Sequence, residues 1–443
     1  MGFLDYMRGL ISKLFSAKDI KTELNVDVAV SNEMMNRIDF WRRMYTGSVP
    51  WVQDSVVSLR LESAVCREFA NISLGEMEAK VTNEKLNTVF SKAIADINIH
   101  FQEGLSSGAM IIKPLGKTGV QFVPQSAFIP VEYNVAGVPV KVIFPEFKQL
   151  GENRHYTRLE FHSLDPDTGL TITNKAYYSA SKNSLGREIP LTNVDEWASL
   201  EPYIRYPLMK KNIFGYYRNP IANKIDVSHS GVSVFEDASE VIRKADIQFG
   251  RLDWEFESGE RAVHVDSAAL KKDGKLPRLS KRLYRAVDVE VKDGDLFKEY
   301  SPELRQEDFI AGLEEYKRSI EFAVGLAYGD LSNPQTVEKT AEEVRSSKQR
   351  KYDTVTAIQK NLQNCLSELV DALAFWNGMM NSGYEFVCNF KDSILTDETT
   401  EREQDRKDVS MGVMRLEEYR AKWYGETLET ARASLPEPAQ VIE

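Results

Sequence analysis

Two apolar stripes with alternating spacings of four and three residues constrain the fold of this 443-residue chain more than any other sequence feature. One stripe lies between residues 234 and 257 and the other between residues 306 and 325. Such alternation places apolar side chains on one helical face and is typical of helices that pack side by side, within one chain or between subunits. The stripes consist of Ala238, Ile242, Ala245, Phe249, Leu252 and Phe256, and of Phe309, Leu313, Tyr316, Ile320 and Ala323.

The remaining sequence alternates between helical and β-rich regions and predicts the α+β class. Residues 32–92 have mostly helical apolar spacing, whereas residues 110–217 contain short β-rich runs separated by turn dipeptides, Gly or Pro. Short β-like runs also lie between the two stripes. A third helix is predicted from residue 339 to about residue 378. A strand-like run follows it, and two short helical segments end the chain.

The charge balance excludes a protein whose main task is to grip nucleic acid over a broad surface. Lys and Arg number 56 against 67 Asp and Glu, which gives a net charge of −11, whereas phosphate neutralisation needs a basic excess. A protein past which DNA slides is not excluded. No apolar run approaches ~18 residues, so we expect neither a transmembrane helix nor a membrane partner. Three widely spaced cysteines form no CxxC pair and favour a reducing compartment.

The motifs of nucleotide binding, metal binding and nucleophilic catalysis are missing from the sequence. Residues 116–118 read GKT like the end of a P-loop, but Ile111 stands where the first glycine is needed, so we predict a turn. His155 and His162 point to opposite faces of a predicted strand, and the acidic run 165–169 lacks the later ligands of a calcium loop. There is no GxSxG nucleophile elbow. We expect no enzyme activity, no cofactor and no metal site.

One segment between the two stripes is strongly basic. It reads KKDGKLPRLSKRLYR over residues 271–285, with seven basic residues against a single aspartate. Such a run is either a solvated loop or a docking patch for an acidic or nucleic-acid partner, and we favour docking. Its basic residues are Lys271, Lys272, Lys275, Arg278, Lys281, Arg282 and Arg285.

Four separated stretches resemble, in the same order, the portal proteins of tailed bacteriophages, in particular the family of long-tailed phages that infect Gram-positive hosts. Each stretch is short, and their order along nearly the whole chain carries the resemblance. The most specific is the pair Gly325-Leu326 followed by KTAEEV at residues 339–344. The others are Trp41–Gly47 with Pro50 and Trp51, then Leu59–Met77, then residues 389–397 with Gly412 and the Tyr424-Gly425 pair.

The resemblance implies a dodecameric ring at one capsid vertex, through which double-stranded DNA is packaged and ejected. The implied partners are other copies of the chain, the terminase large subunit, the head–tail adaptor, and the major capsid and scaffold proteins. The implied location is the virion, with the host cytoplasm during assembly. The implied divisions are an α/β wing (1–232), a first stem helix (233–257), a small α/β clip (258–305), a second stem helix (306–325), a tunnel loop (326–338), a long wing helix with a strand (339–390) and a short helical crown (391–443).

The resemblance also implies roles for particular residues. The basic segment would lie in the clip, where the family docks its packaging motor and later its adaptor. Lys317 and Arg318 are candidates to line the stem channel, facing either the lumen or a neighbouring subunit. The tunnel loop carries Asp330 and has no Lys or Arg before Lys339. We therefore do not expect this loop to place a ring of lysines on the DNA. Its DNA-facing candidates are Tyr328, Asp330, Ser332, Asn333, Gln335, Thr336 and Lys339.

Two other classes of protein stay open on the sequence alone. A soluble α+β enzyme of unidentified class would have a concave pocket that holds titratable side chains. A head–tail adaptor or another capsid-associated ring would also assemble from copies, but adaptors are usually much shorter and lack two long helices around a clip.

Overall fold

The fold combines α-helices with antiparallel sheets, and the α+β class expected from the sequence is confirmed. The structure is a computed structural model. It describes residues 24, 26–53, 56–75, 77–151, 153–181, 184–260, 262–266, 284–287, 297–334, 341–390, 398–424 and 426–435.

Four helices form the first helical layer, and local sequence signals set their ends. Ser31 accepts a hydrogen bond from the Met34 amide at 3.1 Å and so caps the first helix, which ends at Gly47 in the left-handed conformation (φ 67°). Asn83 caps the third helix in the same way. The helices are α1 (Asn32–Thr46), α2 (Leu61–Gly75), α3 (Glu84–Ala93) and α4 (Ile97–Ser107).

Two antiparallel sheets stack next to this helical layer. The smaller has the order β10-β2-β3, and its strand β2 alternates, with Met110 and Ile112 facing the helical core and Ile111 facing the larger sheet. The larger has the order β4-β5-β6-β7-β8, with β9 paired to β7. The strands are β1 (Met77–Val81), β2 (Ala109–Leu115), β3 (Gly119–Pro124), β4 (Ile129–Tyr133), β5 (Pro139–Gln149), β6 (His155–Asp165), β7 (Gly169–Ser179), β8 (Arg187–Ile189), β9 (Tyr203–Tyr206) and β10 (Gly215–Arg218).

The two loops that mimic ligand motifs are hairpin turns, as predicted. Residues 116–118 connect β2 to β3. Residues 166–168 connect β6 to β7, and the Asp165 carboxylate accepts hydrogen bonds from the amides of Asp167 and Thr168 at 3.0 and 2.9 Å. The aspartate therefore stabilises the turn.

The two apolar stripes form an antiparallel helix pair, α5 (Ser239–Ser258) and α6 (Gln306–Val324). A small sheet lies between them in sequence, with β11 (Ala262–Asp266) in the centre, parallel to β12 (Tyr284–Val287) and antiparallel to β13 (Phe297–Tyr300). In the described part of the chain, the extensive contacts of these strands are with one another. The helix pair therefore carries a separate β module.

A 36-residue helix, α7 (Ala341–Trp376), crosses the core. Its apolar stripe is buried from Val355 to Leu373. The strand β14 (Phe386–Phe390) follows and pairs with β1. The described chain ends in α8 (Glu398–Ser410), α9 (Leu416–Tyr424) and α10 (Leu428–Ala433). None of the described helices is both long enough and apolar enough to cross a lipid bilayer.

The contact between β10 and α7 leaves no room for a side chain at Gly215. A Cβ atom there would lie 2.3 Å from the Cys365 carbonyl oxygen of α7. We expect Gly215→Ala to lower the free energy of unfolding by about 1–3 kcal/mol, since the helix must move away from the strand. Urea unfolding followed by circular dichroism measures the loss.

Gly75→Ala is the matched control, because no atom lies within 4 Å of its Cβ position at the end of α2. Equal unfolding midpoints for the two alanine variants would contradict the proposed close approach.

Candidate functional site

The α5–α6 pair is anchored in the core at one end and exposed at the other. Ile242 and Ala245 of α5 and Ile320 of α6 are fully buried in the main core. At the opposite end, beside the β module, four large apolar side chains are exposed, and we call them the stem patch. They are Trp254 (63% exposed), Phe256 (41%), Leu304 (41%) and Ile310 (46%). Trp254 and Phe256 are two residues apart on α5 and so point to opposite sides of this helix. Large apolar side chains exposed on both sides of a helix are candidates for contact with other chains.

Two tryptophans attach the anchored end of α5 to the N-terminal helices. The indole N–H of Trp41 donates to Glu236, in the turn before α5. The indole N–H of Trp51 donates to Asp246 within α5 at 2.9 Å. Both belong to the aromatic stretch on which the family resemblance rests. Their aromatic rings and hydrogen bonds together fix the position of α5.

Asp246 lies in a buried acidic junction that the sequence did not reveal. It also accepts a hydrogen bond from the Leu59 amide at 2.8 Å, and Glu62 at the start of α2 lies nearby with 2% of its surface exposed. Burial raises the pKa of Glu62 to about 7 and also raises the pKa of Asp246. The helix pair therefore meets the body at a site that favours protonated carboxyls.

The exposed end of the pair is closed by an ion pair. The Arg305 guanidinium lies 2.7 Å from the Glu255 carboxylate, and the Arg305 amide donates to the same carboxylate at 3.0 Å. These bonds connect the last turn of α5 to the start of α6. They hold the two helices together where the chain leaves for the β module and returns from it.

Lys317 and Arg318 each lie beside an acidic residue of their own helix. The Lys317 ammonium is 2.7 Å from Glu314, and the Arg318 guanidinium is 3.5 Å from Glu315. Each basic side chain is only about one-fifth exposed (23% and 21%). In the single chain, these candidate channel cations are therefore largely compensated.

The first part of the predicted tunnel loop folds back onto the protein. Tyr328 lies against the Arg350 guanidinium, 5.3 Å from the ring centre, and Asp330 forms a 3.0 Å ion pair with Lys351 of α7. Ser332 is 5% exposed, and its hydroxyl donates to a buried glutamate. In the single chain, burial and that hydrogen bond occupy the side chain of Ser332, and its role as a DNA-facing residue stays a prediction.

Asn333 is the exposed residue among the described DNA-facing candidates. Gln335, Thr336 and Lys339 lie outside the described residues. So do six of the seven basic residues predicted for clip docking, namely Lys271, Lys272, Lys275, Arg278, Lys281 and Arg282. The seventh, Arg285, is described by its backbone, in β12 opposite His264 of β11.

A cleft of about 540 Å³ with buried charges lies between the two larger sheets. Glu160 there accepts hydrogen bonds from Lys113 at 2.8 Å and from His162 at 2.7 Å, and it lies 3.1 Å from Arg158. Burial raises the pKa of Glu160, but these basic neighbours outweigh it and hold the pKa well below its usual range. The cluster joins two sheets through mutual pairing of its charges.

In the described ranges, no group of three or more His, Cys, Asp and Glu side chains is placed to hold a metal ion. No protein-family model matches the chain, and a search of the curated proteins finds no similar sequence. The functional argument therefore rests on the residues and their geometry.

The acidic junction makes stability depend on pH. Because the pKa of Glu62 is raised in the folded state, that state binds more protons than the unfolded state between about pH 4.5 and pH 7. Stability therefore falls as the pH rises through this window. We expect the free energy of unfolding of Glu62→Gln to equal that of the parent near pH 4 and to exceed it at pH 8 by up to about 3 kcal/mol. Denaturant unfolding at both pH values measures this difference.

Glu257→Gln, at an exposed position of α5, is the control, and its free energy of unfolding should equal that of the parent at both pH values. A constant stability difference between Glu62→Gln and the parent at every pH would refute the assignment.

Proposed function

We propose that this chain is the subunit of a ring-forming phage portal protein that conducts double-stranded DNA at a capsid vertex. The observation that carries the proposal is the antiparallel pair α5–α6, which holds a small β module at one end and has an apolar patch beside it. The order of elements around the pair also supports it, since a helical and β-rich region precedes the pair and a loop and a long helix follow.

In this proposal, each element takes the part that its position in the chain suggests. The helices α5 and α6 form the stem, and β11–β13 belong to the clip. The preceding helices and the two larger sheets form the wing, together with α7 and β14. The helices α8–α10 form a small crown.

The stem patch supports assembly from copies of the chain. Trp254, Leu304 and Ile310, which lie outside the two apolar stripes, and Phe256, the last residue of the first stripe, are exposed in the single subunit. Burial of apolar surface contributes about 25 cal/mol per Å². Packing of adjacent stems in a ring would remove this patch from water.

The charges near the loop suit DNA that slides instead of binding tightly. Each additional cation on a phosphate strengthens binding in a salt-dependent way and would slow movement. Lys317 and Arg318 are compensated by neighbouring acids, and Asp330 is compensated by Lys351. Such compensated charges give DNA neither a strong grip nor a strong repulsion.

Assembly is the first test of this function. We expect the full-length protein, with scaffold protein where assembly needs it, to form a ring with a central hole wide enough for duplex DNA. Trp254→Glu should shift the population to monomers, because it places a charge in the apolar contact between stems. Native mass spectrometry and negative-stain images of the same sample measure both.

Glu257→Ala is the matched control at an exposed polar position of the same helix, and it should leave the ring intact. A protein that stays monomeric with scaffold present would overturn the portal proposal. Intact rings of Trp254→Glu would overturn only the role of the stem patch.

The basic segment gives a second test, on docking. Replacing its seven Lys and Arg residues with Gln removes the charge while keeping the segment length. We expect rings to form but to lose binding to the terminase large subunit or to the head–tail adaptor, since docking would depend on charge complementarity. Pull-down from purified components at low and high salt measures binding.

Charge-neutral replacement of Lys210 and Lys211, two exposed lysines of the wing, is the control. Undiminished binding by the seven-residue variant would contradict the docking role.

A further inference from the structure

Two glutamates on one face of α6 hold the chain that follows this helix. Glu314 and Glu321 are seven residues apart, which places them two turns apart on the same side, about 10 Å along the axis. The Glu321 side chain is fully buried, and 13% of the Glu314 side chain is exposed. Both carboxylates accept hydrogen bonds from residues 329–333, which we call the strap. The strap therefore runs back along α6.

Glu321 holds the inner end of the strap. Its Oε1 accepts hydrogen bonds from the amides of Gly329, Leu331 and Ser332 at 3.1, 2.6 and 2.8 Å, and its Oε2 accepts one from the Ser332 hydroxyl at 2.9 Å. Hydrogen bonds to a carboxylate are about twice as strong as neutral ones. Because Glu321 is buried, departure of the strap would leave a charge without partners in a site shielded from water.

Glu314 holds the outer end less firmly. Its Oε2 accepts a hydrogen bond from the Asn333 amide at 2.7 Å, and its Oε1 accepts one from the Lys317 ammonium at 2.7 Å. Asn333 is exposed, so water can replace this hydrogen bond. Glu314 keeps Lys317 as its partner when the amide leaves. Opening at this end therefore leaves no unpaired buried charge.

We propose that the strap is a releasable segment, which opens from Asn333 while its inner end stays anchored at Glu321. The difference between the two carboxylates sets the order of release. An ion pair between Asp330 of the strap and Lys351 of α7 adds to the inner anchor. The mechanism concerns the single chain and holds whether or not the subunits form a ring.

Hydrogen exchange of the full-length protein tests this order. In the parent, we expect the Asn333 amide to exchange faster than the amides of Leu331 and Ser332. Glu314→Gln should speed exchange at Asn333 alone. Glu321→Gln should speed exchange at the inner amides by on the order of tenfold, because the neutral amide forms weaker hydrogen bonds. Mass spectrometry with electron-transfer fragmentation resolves these positions.

Glu315→Gln is the matched control, since this residue of α6 is 69% exposed and pairs with Arg318. It should leave strap exchange unchanged. Uniform exchange across the strap in the parent, or identical inner exchange in Glu321→Gln, would overturn the proposal.

If helices α5–α7 of Glu321→Gln also exchange faster, this variant has lost global stability. The Ser332→Ala variant then tests the anchor at Glu321. This change removes the hydroxyl hydrogen bond and keeps the carboxylate. We expect a few-fold faster exchange confined to the strap. Unchanged strap exchange in Ser332→Ala would refute the anchor at Glu321.

Discussion

The attachment of α5 to the N-terminal helices is the interaction on which the rest of the architecture depends. Two indole N–H groups, from Trp41 and Trp51, donate to carboxylates in the turn before α5 and within α5. These bonds are directional, whereas apolar contact alone would let a helix slide or rotate. Fixing one end of α5 also positions α6, the β module between them and the loop that continues into α7.

The helix pair and its attachment contain acidic groups at low exposure, and burying such a group is costly unless it has partners. Asp246 has the Trp51 indole and the Leu59 amide, and Glu321 has four donors from the strap. Glu62 is in a different position, since burial raises its pKa and so favours the neutral form. Buried acids in and next to the helix pair are thus stabilised in two ways: Glu321 of α6 by many hydrogen-bond donors, and Glu62 of α2 by a raised pKa that favours its neutral form.

The sequence predicted the helices of the pair and of α7 well, because their apolar spacing is long and regular. It also identified the turns at residues 116–118 and 165–169, where Gly and Asp have local conformational roles. It gave no sign of Glu62, Asp246, Glu314 or Glu321. A buried glutamate and a solvated one are identical in sequence, and only the tertiary structure brings donors to the first. The sequence likewise treated Ser332 as a loop residue, whereas its burial depends on a partner eleven positions earlier.

The geometry of the loop bears on how a chain of net charge −11 could line a path for DNA. Free carboxylates on such a path would repel phosphate, and free cations would retain it. Glu314 and Glu321 of α6 direct their charges toward backbone amides of the strap, and Asp330 of the strap directs its charge toward Lys351. The ammonium groups of Lys351 and Lys317 offset the charges of Asp330 and Glu314 at long range, whereas the neutral donors at Glu321 stabilise its charge locally and leave its net charge unchanged. The ion pairs, more than the hydrogen bonds that fix the strap, therefore reduce the field that an approaching polyanion would meet.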